Sequence, residues 1–212
     1  MSIINNLLGS DSAELLIKGL SSQTGQSKSN ISELLSMGIP VILKALQRNA
    51  GSTEGASGIQ AALSKKHDGS ILNSLESVFS GSAADGIEKD GENILGHIFG
   101  NRQKNIQNAL SNQSGLDAAT VCRLLKMAAP VVMGLLGKQQ RQQKNDALDR
   151  HGLSNILGSL VGDDFQNKKQ SFFESILDAD NDGSIIDDLV DTVAGKKKTG
   201  IVNVFGKMFN KK

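Results

Sequence analysis

Two related apolar segments decide the fold of this chain: ISELLSMGIPVILKAL at residues 31–46 and VCRLLKMAAPVVMGLL at residues 121–136, ninety positions later. The apolar residues of the first segment follow one helical stripe and also occupy the remaining faces: Leu34, Leu35, Gly38, Val41, Ile42, Ala45 and Leu46 on the stripe, and Met37, Ile39 and Leu43 elsewhere. A helix that is apolar on every side has to be covered by other helices. We therefore predict two central, buried helices.

A proline stands at the matched position of each segment, Pro40 in the first and Pro130 in the second. Proline removes one i to i−4 hydrogen bond and kinks or splits a helix. We expect a kink that both helices share. Ser27 or Asn30 is a suitable N-cap for the first helix, because both side chains can accept a hydrogen bond from the first turn.

The similarity extends beyond these segments and indicates an internal duplication. Residues ninety positions apart agree before the central helices: Leu20, Ser21, Gln23 and Gly25 with Leu110, Ser111, Gln113 and Gly115. After the central helices, ILGSL at 156–160 resembles ILNSL at 71–75. We also expect His151 to lie in a turn of the second repeat that is equivalent to the turn at His67. We predict an all-α domain over residues 1–170, in which repeat 1 (about 1–85) and repeat 2 (about 86–170) stack into one pseudo-symmetric bundle.

The order of these motifs resembles the bacterial YidB-like family, catalogued as domain of unknown function 937, over roughly residues 5–165. The resemblance is carried by Leu34, Leu35, Met37, Pro40, Asn49, Ala50, residues 67–72, Asp90, Gly91, residues 94–100 and residues 128–134. It implies an all-α bacterial protein without an established activity. The resemblance therefore supports the fold more than any function.

The N-terminal residues and the single cysteine bear on localisation. MSIINNLLGSDS at 1–12 has neither a positively charged start nor a long apolar run, and the longest apolar run, at 128–136, is far below the roughly 20 residues of a spanning helix. Cys122 falls inside the second central helix, where we expect a small buried side chain. These features predict a cytoplasmic protein that is neither secreted nor transmembrane.

Charge is strongly segregated along the chain. Residues 1–170 carry a net +2, residues 171–194 carry seven acidic and no basic groups, and residues 195–212 carry six lysines and no acid. Tryptophan and tyrosine are absent and only seven phenylalanines occur, so few aromatic side chains could stack on single-stranded nucleic acid. We expect no nucleic-acid partner.

The acidic segment 171–194 contains a pattern typical of calcium loops. Its side chains and one carbonyl group provide candidate ligands at alternating positions, followed by two further carboxylates: Asp178, Asp180, Asp182, Ser184, Asp187 and Asp188. Three carboxylates at every second position, followed by Gly183, allow a loop to wrap a hard cation in oxygen atoms. The pattern resembles the EF-hand and dockerin loops. We therefore predict calcium as the cofactor.

The sequence leaves the identity of the last calcium ligand undecided, because Leu189 stands where an EF-hand places a bidentate glutamate. Asp187 or Asp188 has to substitute, and we prefer Asp188, since Asp187 lies three residues after Ser184 and could close a capping box. The alternative to a metal site is an acidic turn and helix cap.

The tail at 195–212 combines an apolar face with basic residues. The apolar side chains recur at helical spacing: Ile201, Val204, Phe205, Met208 and Phe209. Such a basic amphipathic helix docks in a partner's groove or lies on anionic lipid. We expect a second copy of the chain or another protein as the partner, with a membrane surface as an alternative. The tail could instead pack on its own body or be held by the acidic segment.

No motif indicates catalysis. The sequence has no phosphate-binding loop, no HExxH and no GxSxG, and we interpret His67 and His97 as turn or helix-end residues. We therefore predict a non-enzymatic, calcium-binding scaffold or interaction protein with no catalytic residues. The alternatives are a peripheral membrane protein that acts through the tail, and an enzyme with a pocket between the two repeats.

Overall fold

Two long helices, each containing one of the related apolar segments, form the centre of the computed structural model, which describes residues 9–79, 83–142 and 150–161. The α-helices in chain order are α1 (Ser10–Thr24), α2 (Lys28–Ala50), α3 (Thr53–Lys65), α4 (Leu75–Val78), α5 (Ala83–Phe99), α6 (Gln103–Ser114), α7 (Ala118–Gln142) and α8 (Arg150–Val161). Two 3-10 turns lie at Ser70–Asn73 and Gly100–Arg102. The described residues are 89% helical and contain no strand, which confirms the all-α prediction.

The central helices α2 and α7 are the most deeply buried elements. Leu34 and Leu35 of α2, and Leu124 and Leu125 of α7, have no exposed surface. The two helices contact each other where α2 has a glycine: a Cβ added at Gly38 would stand 2.7 Å from Leu125 Cδ2. The missing side chain therefore lets the central pair approach closely inside one apolar core.

Both helices continue through their prolines. Pro40 lies inside α2 and Pro130 inside α7, and both are buried. Neither residue splits its helix. A proline inside a helix loses one backbone hydrogen bond, and the dense apolar packing on all sides of these two helices offsets that cost.

The corner before each central helix has the same backbone geometry in both repeats. Gly25 ends α1 with φ 69° and ψ 6°, and Gly115 ends α6 with φ 70° and ψ 5°. Each glycine donates its N–H to the carbonyl of the serine four residues earlier, Ser21 or Ser111, at 2.9 Å. This left-handed conformation suits glycine because it has no Cβ.

The side-chain hydrogen bonds of the corner recur as well. Ser21 Oγ donates to the carbonyl of Gln26 and Ser111 Oγ donates to the carbonyl of Leu116, both at 2.6 Å. The agreement of backbone and side-chain contacts ninety residues apart supports an internal duplication.

The central helices also begin in the same way. Ser27 Oγ accepts from the N–H of Asn30 at 3.1 Å, and Asp117 Oδ1 accepts from the N–H of Thr120 at 2.9 Å. Each interaction satisfies one of the free N–H groups at a helix start. Of the two N-cap residues suggested by the sequence, the structure uses Ser27.

The outer helices cover the central pair from different sides. Helix α5 packs along α7, and α8 packs mainly on α2. Helix α3 contacts both central helices. Arg123 of α7 fastens two further elements: its Nε donates to Glu88 Oε2 of α5 at 3.1 Å, and its Nη1 donates to the carbonyl of Gln23 at the end of α1, at 2.9 Å.

Three short stretches differ in structure from what their local composition favours. The polar stretch 21–30 is a loop only at 25–27, because α1 continues to Thr24. The Gly/Ser-rich stretch 49–58 is interrupted only at 51–52, because Ser52 caps α3 by accepting from the N–H of Gly55. ILNSL at 71–75 begins in a 3-10 turn, whereas ILGSL at 156–160 lies inside α8, so these similar sequences adopt different structures.

Among the described residues, Ala118–Gln142 is long and apolar enough to cross a membrane by length and composition, and its most apolar 18-residue stretch has a mean hydropathy of 1.6. Within the fold, 72% of that apolar stretch is buried. A helix whose apolar faces are already covered by other helices is the central helix of a protein core.

Candidate functional site

The predicted calcium ligands lie outside the described residues. They are Asp178, Asp180, Asp182, Ser184, Asp187 and Asp188, and the basic tail at 195–212 also falls outside. Over the described ranges, no group of three or more His, Cys, Asp or Glu side chains is placed to hold a metal ion. The calcium site and the role of the tail therefore stay predictions.

The buried side chain of His67 forms a polar cluster with its exposed neighbour Lys66 and with Asp90 of α5. The side chain of His67 is only 6% exposed, and its Nε2 lies 3.6 Å from Asp90 Oδ2. The other carboxylate oxygen of Asp90 accepts from Lys66 Nζ. The cluster thus joins the end of α3 to the middle of α5.

Burial lowers the pKa of His67 from its ordinary value of 6.5, because a charged imidazole loses its hydration there. The Asp90 carboxylate opposes this lowering and the Lys66 ammonium adds to it. His67 is therefore neutral near pH 7, and Asp90 pairs mainly with Lys66. An imidazole enclosed in this way is a structural group rather than an acid or base open to a substrate.

The turn that follows His67 is pressed against α7. Asp68 accepts from the N–H of Ser70 and forms an ion pair with Arg141. A Cβ added at Gly137 of α7 would overlap the carbonyl oxygen of His67, so only glycine fits at this crossing. The predicted turn is present, and the structure adds that it joins the first repeat to the second.

The other two histidines differ from each other and from His67. His97 lies on α5 as predicted, and its side chain is exposed. His151, however, lies inside α8. Its interpretation as the counterpart of the His67 turn is therefore wrong, because α8 already begins at Arg150 and leaves no turn at that place.

Cys122 also departs from its prediction. Its side chain is half-buried instead of fully buried, and Gln107 Nε2 donates to its Sγ at 3.1 Å. Residue 122 lies on the side of α7 that faces α6, near the start of the helix, where coverage is incomplete. The helical periodicity places the residue correctly, but it does not show how far the neighbouring helix extends.

The structure contains a cleft that sequence reasoning did not locate. Its volume is about 460 Å³, and it is lined by residues of α2, α3, α5 and α7: Leu46, Asn49, Glu54, Gly55, Gly58, Ile59, Ala62, Ile94, His97, Ile98 and Met133. Both sequence repeats contribute to this lining. A pocket between the repeats, which the enzyme alternative requires, is therefore present.

Asn49 holds two walls of the cleft together. Its Nδ2 donates to the carbonyl of Ala45 in its own helix at 2.8 Å and to the carbonyl of Ile98 in α5 at 3.0 Å. Gly55 at the start of α3 lies so close to the Asn49 carbonyl that a Cβ there would overlap it. The spacing of α2, α3 and α5 is thus fixed around the cleft.

One sequence signal could have pointed to the cleft. Gly55 and Gly58 are spaced three residues apart, so they lie on the same face of any helix that contains them. The Gly/Ser-rich composition of the stretch favours a loop, and this hides the helical spacing of the two glycines.

The sequence was compared with models of known protein families. The family model described as "Bacterial protein of unknown function (DUF937)" matches residues 6–139, which is more than half of the chain. Neither a curated protein nor a solved structure matches the sequence.

Proposed function

The chain belongs to the DUF937 family of bacterial proteins of unknown function, and on that premise we propose that it is a non-enzymatic, calcium-binding scaffold or interaction protein. In this proposal the duplicated helical body is a rigid platform. The acidic segment 171–194 binds calcium, and the basic tail at 195–212 makes the contact with a second copy or another protein. A cytoplasmic location is part of the same proposal.

The observation that carries the proposal is that the titratable side chains near His67 make contacts between helices. His67 and Asp90 join α3 to α5, and Asp68 joins the next turn to Arg141 of α7. Contacts of this kind tie helices together and leave the side chains enclosed or paired. They support a structural body better than a catalytic one, since an acid or base has to reach a substrate.

The test compares the full chain with a truncation that ends at Gly195, each with and without calcium, by sedimentation velocity. Removal of the basic tail should abolish association, and higher salt should weaken association of the full chain. Salt acts because the screening length shortens from about 10 Å at 0.1 M ionic strength. An unchanged sedimentation coefficient and an unchanged set of bound partners after truncation would contradict the proposal.

Two paired variants separate the contributions of the tail. Replacing Phe205 and Phe209 by serine removes apolar surface and keeps the charge, whereas replacing Lys207 and Lys211 by glutamine removes charge and keeps the apolar face. A groove-binding helix should depend on both sets. If only the lysine variant lost association, the contact would be purely electrostatic, and this result would contradict docking through the apolar stripe.

The membrane alternative has its own test. Full-length protein and the truncation at Gly195 are floated with vesicles of neutral lipid and of mixed anionic lipid. If the tail lies on membranes, the full-length protein should float with the anionic vesicles and not with the neutral ones, and the truncated protein should float with neither. An enzyme that uses the cleft is a second alternative, supported by the presence of the pocket between the repeats.

A further inference from the structure

We propose that the cleft between α2, α3, α5 and α7 binds a small amphiphile, namely an alkyl chain with one positively charged head group such as an alkylammonium ion. The lining consists of described residues and includes no residue of the calcium segment or the tail, so this proposal and the proposed function can fail separately. It adds a ligand-binding site to the helical body.

The floor of the cleft suits an alkyl chain. Leu46 is 1% exposed, Met133 is 3% exposed and Ile94 is 9% exposed, so these side chains form a rigid apolar base, and the half-buried Ala62 and Ile98 supply open apolar surface above it. The volume of about 460 Å³ falls within the range of about 300–1,000 Å³ that is usual for small-molecule sites, which often lie between the helices of bundles.

The cleft is formed before any ligand binds. Asn49 bridges α2 and α5 through its two hydrogen bonds, and the contact of Gly55 with the Asn49 carbonyl fixes the start of α3. A ligand therefore does not have to order these walls, and pre-organisation of this kind favours binding.

Glycine keeps the α3 side of the cleft open. Gly58 lines the cleft, and a Cβ added there would meet no atom within 4 Å. At this helical position any other residue would place its side chain in that open space. The same feature offers a way to fill the cleft without disturbing the core.

The charge of the lining favours a cation. Glu54 contributes an exposed carboxylate, and the described lining residues include no lysine or arginine. His97, also exposed, is the other titratable side chain of the lining. An ammonium group beside Glu54 can stay partly hydrated while the alkyl chain lies on the half-buried Ala62 and Ile98, which is the usual arrangement of a charged head above an apolar surface.

The experiment measures binding of hexyl-, octyl- and decylammonium to the full-length protein by methyl NMR of Met133 and Ile59. Octanoate and 1-octanol serve as anionic and neutral probes of the same chain length. We expect saturable shifts with octylammonium at millimolar concentration, as suits so small a ligand. Affinity should rise about fourfold for each added methylene as the chain covers more of the floor.

Two glycine variants give a matched test of location. Gly58→Leu fills the cleft and should weaken octylammonium binding by at least about tenfold, because the leucine competes for the same space. Gly86→Leu is the control: Gly86 is also an exposed helical glycine with no atom within 4 Å of an added Cβ, but it lies outside the cleft. This variant should bind like the wild type.

Glu54→Gln tests the charge. It should remove the preference for octylammonium over 1-octanol and leave binding of 1-octanol unchanged. The proposal is overturned if none of the probes gives saturable shifts, if the affinity does not depend on chain length, or if Gly58→Leu binds octylammonium as well as Gly86→Leu does. Tighter binding of octanoate than of octylammonium would overturn it equally.

Discussion

Gly91 of α5 lies directly against the backbone carbonyl of Lys126 in α7, so closely that a Cβ at position 91 would overlap that oxygen. The obstacle is backbone at the centre of a buried helix, and it cannot swing aside as a side chain could. This one missing side chain sets the distance between α5 and α7. It also brings α5 close enough for Lys126 Nζ to form an ion pair with Glu92, at 3.2 Å.

We predict opposite effects of the same substitution at two glycines of α5. Gly91→Ala should lower the free energy of unfolding by at least about 2 kcal/mol, because α5 has to move away from α7. Gly96→Ala should raise it by about 0.5–1 kcal/mol, because an added Cβ there meets no atom within 4 Å and alanine favours the helix. Urea unfolding of both variants checks the prediction, and equal effects would contradict the close crossing.

The central leucines should contribute equally in the two repeats. Leu35 and Leu125 occupy matched positions of α2 and α7, and both are fully buried. Replacement of either by alanine leaves a cavity in the shared core and should cost about 2–5 kcal/mol. Thermal or urea unfolding measures the loss. A cost below about 1 kcal/mol at one site only would show that this helix is not part of a common core.

A fragment tests whether the two repeats depend on each other. Residues 1–85 made alone lack α7, against which α2 and α3 pack. The fragment should therefore lack a cooperative thermal transition, since α2 loses the cover of α7, α5 and α8 and keeps only that of α1 and α3. A monomeric fragment as stable as the whole chain would contradict the single-core description.

The buried helices could be predicted from sequence because their signal is strong and local. Residues 31–46 and 121–136 are apolar on every side, and residues ninety positions apart agree around Gly25 and Gly115. Left-handed glycines and serine contacts recur there as the similarity indicates. In these places the local sequence and the tertiary packing favour the same structure.

Where the local sequence and the tertiary packing favour different structures, contacts from distant parts of the chain determine which structure forms. The glycines at 55 and 58 favoured a loop, but Ser52 caps the segment and packing on α2 and α7 makes it helical. The cleft could not be predicted, because its lining comes from four helices and depends on their spacing. The contact of His67 with Asp90 likewise joins residues that are distant in sequence.

We predict that the free energy of unfolding decreases as the pH is lowered, because His67 is buried in its neutral form. Its pKa is lowered in the fold by burial, so the unfolded chain binds a proton more readily. The stabilising effect of the neutral, buried imidazole is fully present above the unfolded pKa of about 6.5 and is lost as the pH falls towards the lower folded-state pKa. Urea unfolding between pH 8 and pH 5 measures this slope.

The controls for His67 are two substitutions by glutamine. His67→Gln removes the buried imidazole and should flatten the slope below pH 6.5, although the protein will be less stable at pH 8. His97→Gln changes an exposed histidine and should keep the wild-type slope. An identical slope in wild type and His67→Gln would assign the pH dependence to other groups.

The last prediction concerns the calcium segment. Asp178, Asp180, Asp182 and Asp188 should bind calcium, because their carboxylates repel one another without a cation and are neutralised by it. Binding to the folded state should stabilise it by about 2.7 kcal/mol at a hundredfold excess over Kd. Magnesium should bind more weakly, since it needs a tighter octahedron than these side chains readily form. Calorimetric titration of the wild type and Asp182→Asn checks the prediction: the variant should bind more weakly, and the absence of calcium heat at millimolar concentration, or equal heats for both proteins, would leave an acidic helix cap as the correct interpretation.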